Sequence, residues 1–125
     1  MTDQELFRVA KATIPNAYAP YSKFKVGAAL LTKDGKVYTG VNVENSSFGA
    51  TVCAERTAFV KAISEGNHEF DTIAVASSGG EAFPCGICRQ FIFEFGNQIR
   101  VVVGSDEENL KAYQIDELLP HGFRL

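Results

Sequence analysis

The chain has 125 residues, 46% hydrophobic and 22% charged, which is ordinary globular usage at a length able to bury its own core. A net charge of -3 and a pI near 5.3 argue against a nucleic acid or an anionic membrane surface as partner, since both need a basic field. Met1 to Lys11 is acidic and polar, unlike a secretory leader, and no apolar run nears the ~18 residues of a spanning helix. One domain over residues 1–125, soluble and cytoplasmic, is the expectation.

Thr2 and Glu5 form a capping-box pattern ahead of an apolar stripe at Leu6, Val9 and Ala10. The helix they open should stop before Pro15. Asn16 to Phe24 is rich in turn formers and reads as a loop. From Phe24, the residues Val26, Ala28 and Leu30 alternate with Lys25, Gly27, Ala29 and Leu31, a strand buried on at least one face. Thr32 to Gly35 supplies hairpin turn chemistry. Val37, Thr39, Val41 and Val43 alternate next with Tyr38, Gly40, Asn42 and Glu44. If the chain stays extended, Asn42 and Glu44 share a face.

Asn45 to Thr51 reads as a loop. A helix from about Val52 should end at Gly66, with Phe59 and Ile63 one turn apart. Thr72 to Ala76 is wholly apolar, as a central strand should be, and Ser77 to Gly80 breaks it. Pro84 suits the first position of a third helix, and Gly96 its end. Ile99 to Val103 and, more weakly, Leu110 to Ile115 read as strands. Asp116 is placed to cap a short turn through Leu119. The expected fold class is α/β, a three-layer α/β/α arrangement with a mixed five-stranded sheet. Its first two strands should be antiparallel, and the third and fourth parallel through a helical crossover.

Three cysteines cannot all pair within one chain, and in a reducing compartment close spacing points to metal or catalysis. Cys85 and Cys88 lie three apart at a helix start, which fits either a redox pair or half of a zinc site. Cys53, 32 residues upstream at another helix start, favours metal. The two helices flank the central strand, so their starts can converge at one sheet edge. Three thiolates leave the fourth position of Zn²⁺ open, the arrangement of catalytic sites. His68 and His121 read as surface residues rather than ligands. Arg56, three residues after Cys53, is placed to donate to the sulfurs and offset their charge, against the alternative of an ordinary surface arginine. Arg89 follows Cys88 without an assigned role. Glu55 is a candidate general acid/base. In the third helix Phe91 and Phe95 share a stripe while Phe93 points nearly opposite, so a partner subunit is expected to cover it.

Cys53-Ala54-Glu55 together with Pro84-Cys85-Gly86-Ile87-Cys88 resembles the signature of the cytidine deaminases. Cysteine stands where the polynucleotide and deoxycytidylate branches carry histidine, which looks like the small, all-cysteine, homotetrameric nucleoside branch. Ala19 to Phe24, Val26-Gly27-Ala28, Asn42 to Asn45, Arg56-Thr57-Ala58, Arg89-Gln90 and Glu117 to Pro120 also look like family blocks, so the likeness spans nearly the whole chain. It implies one zinc per subunit on Cys53, Cys85 and Cys88, with Glu55 moving protons. It implies substrate contacts from Phe24 at the base, Asn42 and Glu44 at the ribose 3′-hydroxyl, and the Ala54 backbone at the pyrimidine. Phe123 would reach a neighbouring subunit's site. Phe48 stands where many members carry tyrosine, without the hydroxyl. The implied reaction is hydrolytic deamination of cytidine and 2′-deoxycytidine in pyrimidine salvage. Rival readings are an aminoacyl-nucleoside antibiotic such as blasticidin S as substrate, a structural zinc module, and a thiol redox protein. Asn42-Val43-Glu44-Asn45 favours plain nucleosides.

Overall fold

A computed structural model describes residues 1–125. Helix α1 (Asp3–Thr13) starts on the capping box: the Glu5 amide donates to the Thr2 hydroxyl at 3.1 Å and the Thr2 amide to Glu5 Oε1 at 2.8 Å. Two otherwise orphaned N–H groups are thereby satisfied. A 3-10 turn holding Pro15 ends the helix. Strands β1 (Val26–Thr32) and β2 (Val37–Val41) pair antiparallel across a turn with Gly35 at φ +90°, a left-handed conformation that suits glycine. Then follow α2 (Ala54–Ser64), β3 (Phe70–Ser77), α3 (Gly86–Glu94), β4 (Arg100–Gly104), β5 (Leu110–Gln114) and the short α4 (Ile115–Leu118).

The sheet runs β2-β1-β3-β4-β5. Only β3 and β4 are parallel, joined by α3 as the crossover; β1 also pairs antiparallel with β3. Helix α1 covers one face, burying Leu6, Phe7 and Ala10 against Ala29, Ala74 and Val102. Helices α2 and α3 cover the other, burying Phe59, Ala62 and Ile92 against Leu30, Ile73 and Val101. Phe59 is fully buried, with its ring centre 4.8 Å from Phe70 and 5.9 Å from Phe95. Each such ring contributes on the order of 2 kcal/mol of burial, plus about 1 kcal/mol for a good aromatic pair. This aromatic knot fixes the later halves of α2 and α3, which sets their N-termini at the other end of the sheet.

Element ends differ from the sequence reading where capping decides them. Helix α2 starts at Ala54 rather than Val52, and α3 at Gly86 rather than Pro84, because Cys53 and Cys85 are N-cap residues with extended backbone, at ψ 156° and 173°. Gln114, not Asp116, caps α4, because Glu117 returns a bond to the Gln114 amide at 2.9 Å. Strand β1 begins at Val26, leaving Phe24 in the preceding loop. Phe93 is half-buried, and within the chain Gly122 and Arg124 lie against it.

Two glycines permit the layers to close. A Cβ on Gly27 would stand 2.2 Å from the Ala10 carbonyl oxygen of α1, and one on Gly40 would stand 2.4 Å from the Ala54 oxygen and 2.5 Å from the Ala58 nitrogen of α2. Gly40→Ala must therefore push α2 outward, at a cost of about 2 kcal/mol or more. A thermal midpoint lower by roughly 5 °C or more is expected, measured by circular dichroism. Zinc affinity should fall as well, because the helix displaced is the one that begins at Cys53. Gly27→Ala should lower the midpoint without that loss.

Candidate active site

Cys53 is placed by short extended segments that continue past β2. Val43 and Val52 exchange two backbone hydrogen bonds at 2.9 Å, and Val43 also bridges to Tyr18. Cys53 then turns into α2. Across the sheet end Cys85 turns into α3, and the Cys88 amide donates to Cys85 Sγ at 3.4 Å. The Sγ atoms of Cys53, Cys85 and Cys88 all lie within 4.8 Å of one another, and Cys53 and Cys85 Sγ are 3.7 Å apart. Two sulfurs held tetrahedrally at about 2.3 Å from zinc stand about 3.8 Å apart. The donor set therefore fits Zn²⁺ in both chemistry and spacing.

His68 lies in polar clefts at the far end of the sheet, and His121 is exposed in the C-terminal segment. Neither joins the sulfurs. The larger of those clefts, about 470 Å³ between Lys33, His68 and Arg100, has no cysteine, so donor chemistry rather than volume marks the site.

Three thiols in so small a space cannot all ionise independently. Hydrogen bonding from Cys88 and from Arg56 pushes the Cys53 thiol down to about 5, while its bond to Cys53 and its burial move Cys88 up. Arg56 Nη2 donates to Cys53 Sγ at 3.5 Å and to the Thr51 carbonyl at 3.4 Å. Arg89 turns away from the sulfurs, donating to the carbonyls of Pro84 and Leu118.

A cavity of about 270 Å³ opens beside the sulfurs, a little below the usual ~300–1,000 Å³ of ligand sites. Glu55, 4% exposed, lines it together with Cys53, Cys85 and Ala54. Burial pushes the Glu55 carboxyl up to about 7, and the negative charge at Cys53 adds to the rise. Phe24, Asn42 and Glu44 stand on the same cavity, so the shared face of Asn42 and Glu44 survives beyond the end of β2. The Asn42 side chain accepts from the Val26 amide at 2.8 Å and donates to the Phe24 carbonyl at 2.8 Å, fastening the chain on either side of Lys25. The Phe24 ring rests on Gly79, whose missing side chain makes room for it.

Glu44 is held by the Ser22 hydroxyl and by the amides of Tyr21 at 2.9 Å and Ser22 at 3.2 Å, which lower its carboxyl from the usual range. That anchor, and the apolar wall of Val26, Val75 and Phe83, escaped the sequence reading. Tyr21 and Ser22 sit in a recognised block, but nothing in spacing pairs them with Glu44. Phe48 and Phe123 are not brought to this cavity within the chain. Phe48 is 74% exposed and packs edge-on to Tyr21, and Phe123 is 65% exposed.

In protein stripped of metal by a chelator, Arg56→Ala should raise the pH midpoint of Cys53 alkylation above 5. The substitution removes both a donor to the thiolate and a positive charge near it. An unchanged midpoint by mass-resolved iodoacetamide labelling would count against Arg56 as the thiolate's partner.

The comparison with known proteins agrees with this geometry. The family model described as "Cytidine and deoxycytidylate deaminase zinc-binding region" matches residues 1–105. A Dictyostelium discoideum protein named "Probable cytidine deaminase" is 55% identical over 106 residues, covering 83% of this chain and 71% of that protein. A cytidine deaminase of Sporosarcina psychrophila is 45% identical over 125 residues, covering 98% and 92%. The crystal structure of cytidine deaminase from Burkholderia pseudomallei superposes with a TM-score of 0.92 at 46% identity, over 98% of this chain and all of that one. With the cysteine spacing, the sheet order and the matched residues all in agreement, this chain belongs to the cytidine and deoxycytidylate deaminase family.

Proposed function

We propose that residues 1–125 form one catalytic domain that hydrolyses the 4-amino group of cytidine and 2′-deoxycytidine, releasing ammonia and leaving uridine or 2′-deoxyuridine. One observation carries this reading. The nearly buried carboxyl of Glu55 and the sulfurs of Cys53 and Cys85 open onto a single cavity that also holds Asn42 and Glu44. Cys53, Cys85 and Cys88 would hold the zinc, which when bound would supply Lewis acidity toward water.

Glu55 would take one proton from the attacking water and pass it to N3 as the water oxygen bonds to C4. It would then carry the remaining proton of that hydroxyl to the 4-amino nitrogen, so that the C4–N bond breaks and ammonia leaves. A carboxyl near 7 suits both directions of transfer at neutral pH. Asn42 and Glu44 accept and orient the ribose, with Glu44 already fixed by Ser22 and Tyr21. The Ala54 backbone and Phe24 hold the ring. Arg56 offsets the thiolate charge, which would otherwise oppose loss of a proton from water. The negative charge of Glu44 on the cavity favours a plain nucleoside over an anionic nucleotide.

The finer assembly belongs to the same reading: a cytoplasmic homotetramer serving pyrimidine salvage. The exposed aromatic rings of Phe48 and Phe123, outside their own chain's cavity, support completion of each site by neighbours. No helix is long and apolar enough to cross a membrane.

The decisive assay follows cytidine by its absorbance decrease, with and without a chelator. Activity should require metal. Glu55→Gln should keep zinc and lose at least about 10²-fold in kcat; a Gln variant turning over at the parent rate would remove Glu55 from the reaction. Glu44→Ala should lower kcat/KM for cytidine by about 10–100-fold, the worth of a charged hydrogen bond. An equal loss on cytosine, which has no ribose, would argue against the sugar contact.

A further inference from the structure

Arg89 has no part in the chemistry above. Its guanidinium makes two bonds, both to carbonyls: Nε donates to Pro84 O at 2.8 Å and Nη1 to Leu118 O at 2.9 Å. None of the chain's ion pairs includes it. Its contribution is therefore geometric, because a rigid planar fork presents two separate nitrogens, each with its own donor, to the two acceptors, whereas an ammonium group offers donors from a single nitrogen on a flexible stem. One acceptor belongs to the residue before Cys85, and the other to the end of α4.

The rest of α3 extends the same grip. Gln90 Nε2 donates to Phe123 O at 2.9 Å, and Arg124 Nε donates to Phe93 O at 3.0 Å. The Arg124 guanidinium stands 4.7 Å from the Phe93 ring centre. Gly122 is seated so closely that a Cβ there would lie 2.8 Å from Leu119 and 3.0 Å from Phe93. The C-terminal segment is thus laid along the helix whose first turn carries Cys85 and Cys88.

We propose that Arg89 is a positioning residue that ties the cysteine turn to the C-terminal segment, so that one side chain sets the placement of both Cys85 and Phe123. Gln90 pins the Phe123 backbone while the residue as a whole stays 65% exposed, as is needed to offer its ring to a second copy. The consequence for a neighbour's site rests on the nucleoside-deaminase reading. Through this tie, disturbance of one subunit's metal turn reaches the aromatic ring that it lends to the next.

Hydrogen exchange of the zinc-loaded full chain, read by mass spectrometry, tests the tie. Arg89→Ala should speed exchange about tenfold in two separate segments together, 84–89 and 119–123, and leave α1 and β4 unchanged. Gln90→Ala should speed only the second segment. Arg89→Lys should fail to restore both, because a single ammonium nitrogen replaces the two spaced nitrogens that donate to the two carbonyls. Should Arg89→Ala not fold, Arg89→Lys carries the same comparison. KM for cytidine should rise in Arg89→Ala by more than kcat falls, with zinc content unchanged. Faster exchange in one segment alone, a general rise that includes α1 and β4, or full rescue by lysine would each overturn the proposal. If the parent chain does not deaminate cytidine, the kinetic comparison fails with the functional reading, and the exchange pattern alone decides the tie.

Discussion

The two helices that carry the cysteines must begin at the same end of the same sheet face, since otherwise their three sulfurs could not share a space a few ångströms wide. The topology ensures this. Strand β2 leads into α2 and strand β3 into α3, and both helices lie against the face opposite α1. The parallel step from β3 to β4 requires a crossover, and that crossover is α3. Phe59, Phe70 and Phe95 then lock the far ends of the two helices. Gly40 admits the backbone of α2 so closely that no side chain fits between them.

Convergence of thiols has an electrostatic cost. One thiol keeps its proton and donates it to the other, which appears as the opposed shifts of Cys53 and Cys88, with burial and charge repulsion adding to the rise at Cys88. Arg56 and two helix N-termini oppose that repulsion. The same field bears on Glu55, two residues after Cys53 and shielded from water. Its carboxyl rises because burial disfavours the charge and the neighbouring sulfur repels it. Glu44, on the same cavity, moves the opposite way because a hydroxyl and two amides solvate its charge. Two carboxyls on one cavity are thus set apart by surroundings: one suited to exchanging protons, the other to holding a hydroxyl.

Much of this was legible in the residue order. The capping box at Thr2 and Glu5, the hairpin at Gly35, the apolar central strand and the crossover follow from local pattern. So does the gathering of Cys53, Cys85 and Cys88, because two predicted helix starts flank one predicted strand. What failed were local boundaries and partners. Pattern placed Pro84 inside α3, whereas the extended backbone of Cys85 begins the helix one residue after the N-cap. Periodicity on α3 marked Phe93 as needing cover but did not show that Gly122 and Arg124, distant in the chain, lie against it.

By itself the sequence determined the chemistry available: three soft ligands, a carboxylate two residues from one of them, and strands and helices in an order that admits few topologies. Only the tertiary structure decided how those groups are tuned and held. Ser22 and Tyr21 reach Glu44 across 22 and 23 residues of chain, and Arg89 reaches Leu118 across 29. Hydrogen bonds of that span depend on where whole elements pack, and burial, which moves Glu55, belongs to the assembled layers rather than to any stretch of sequence. Helical and strand periods encode which face a residue takes. They carry no information about which distant backbone will lie against that face.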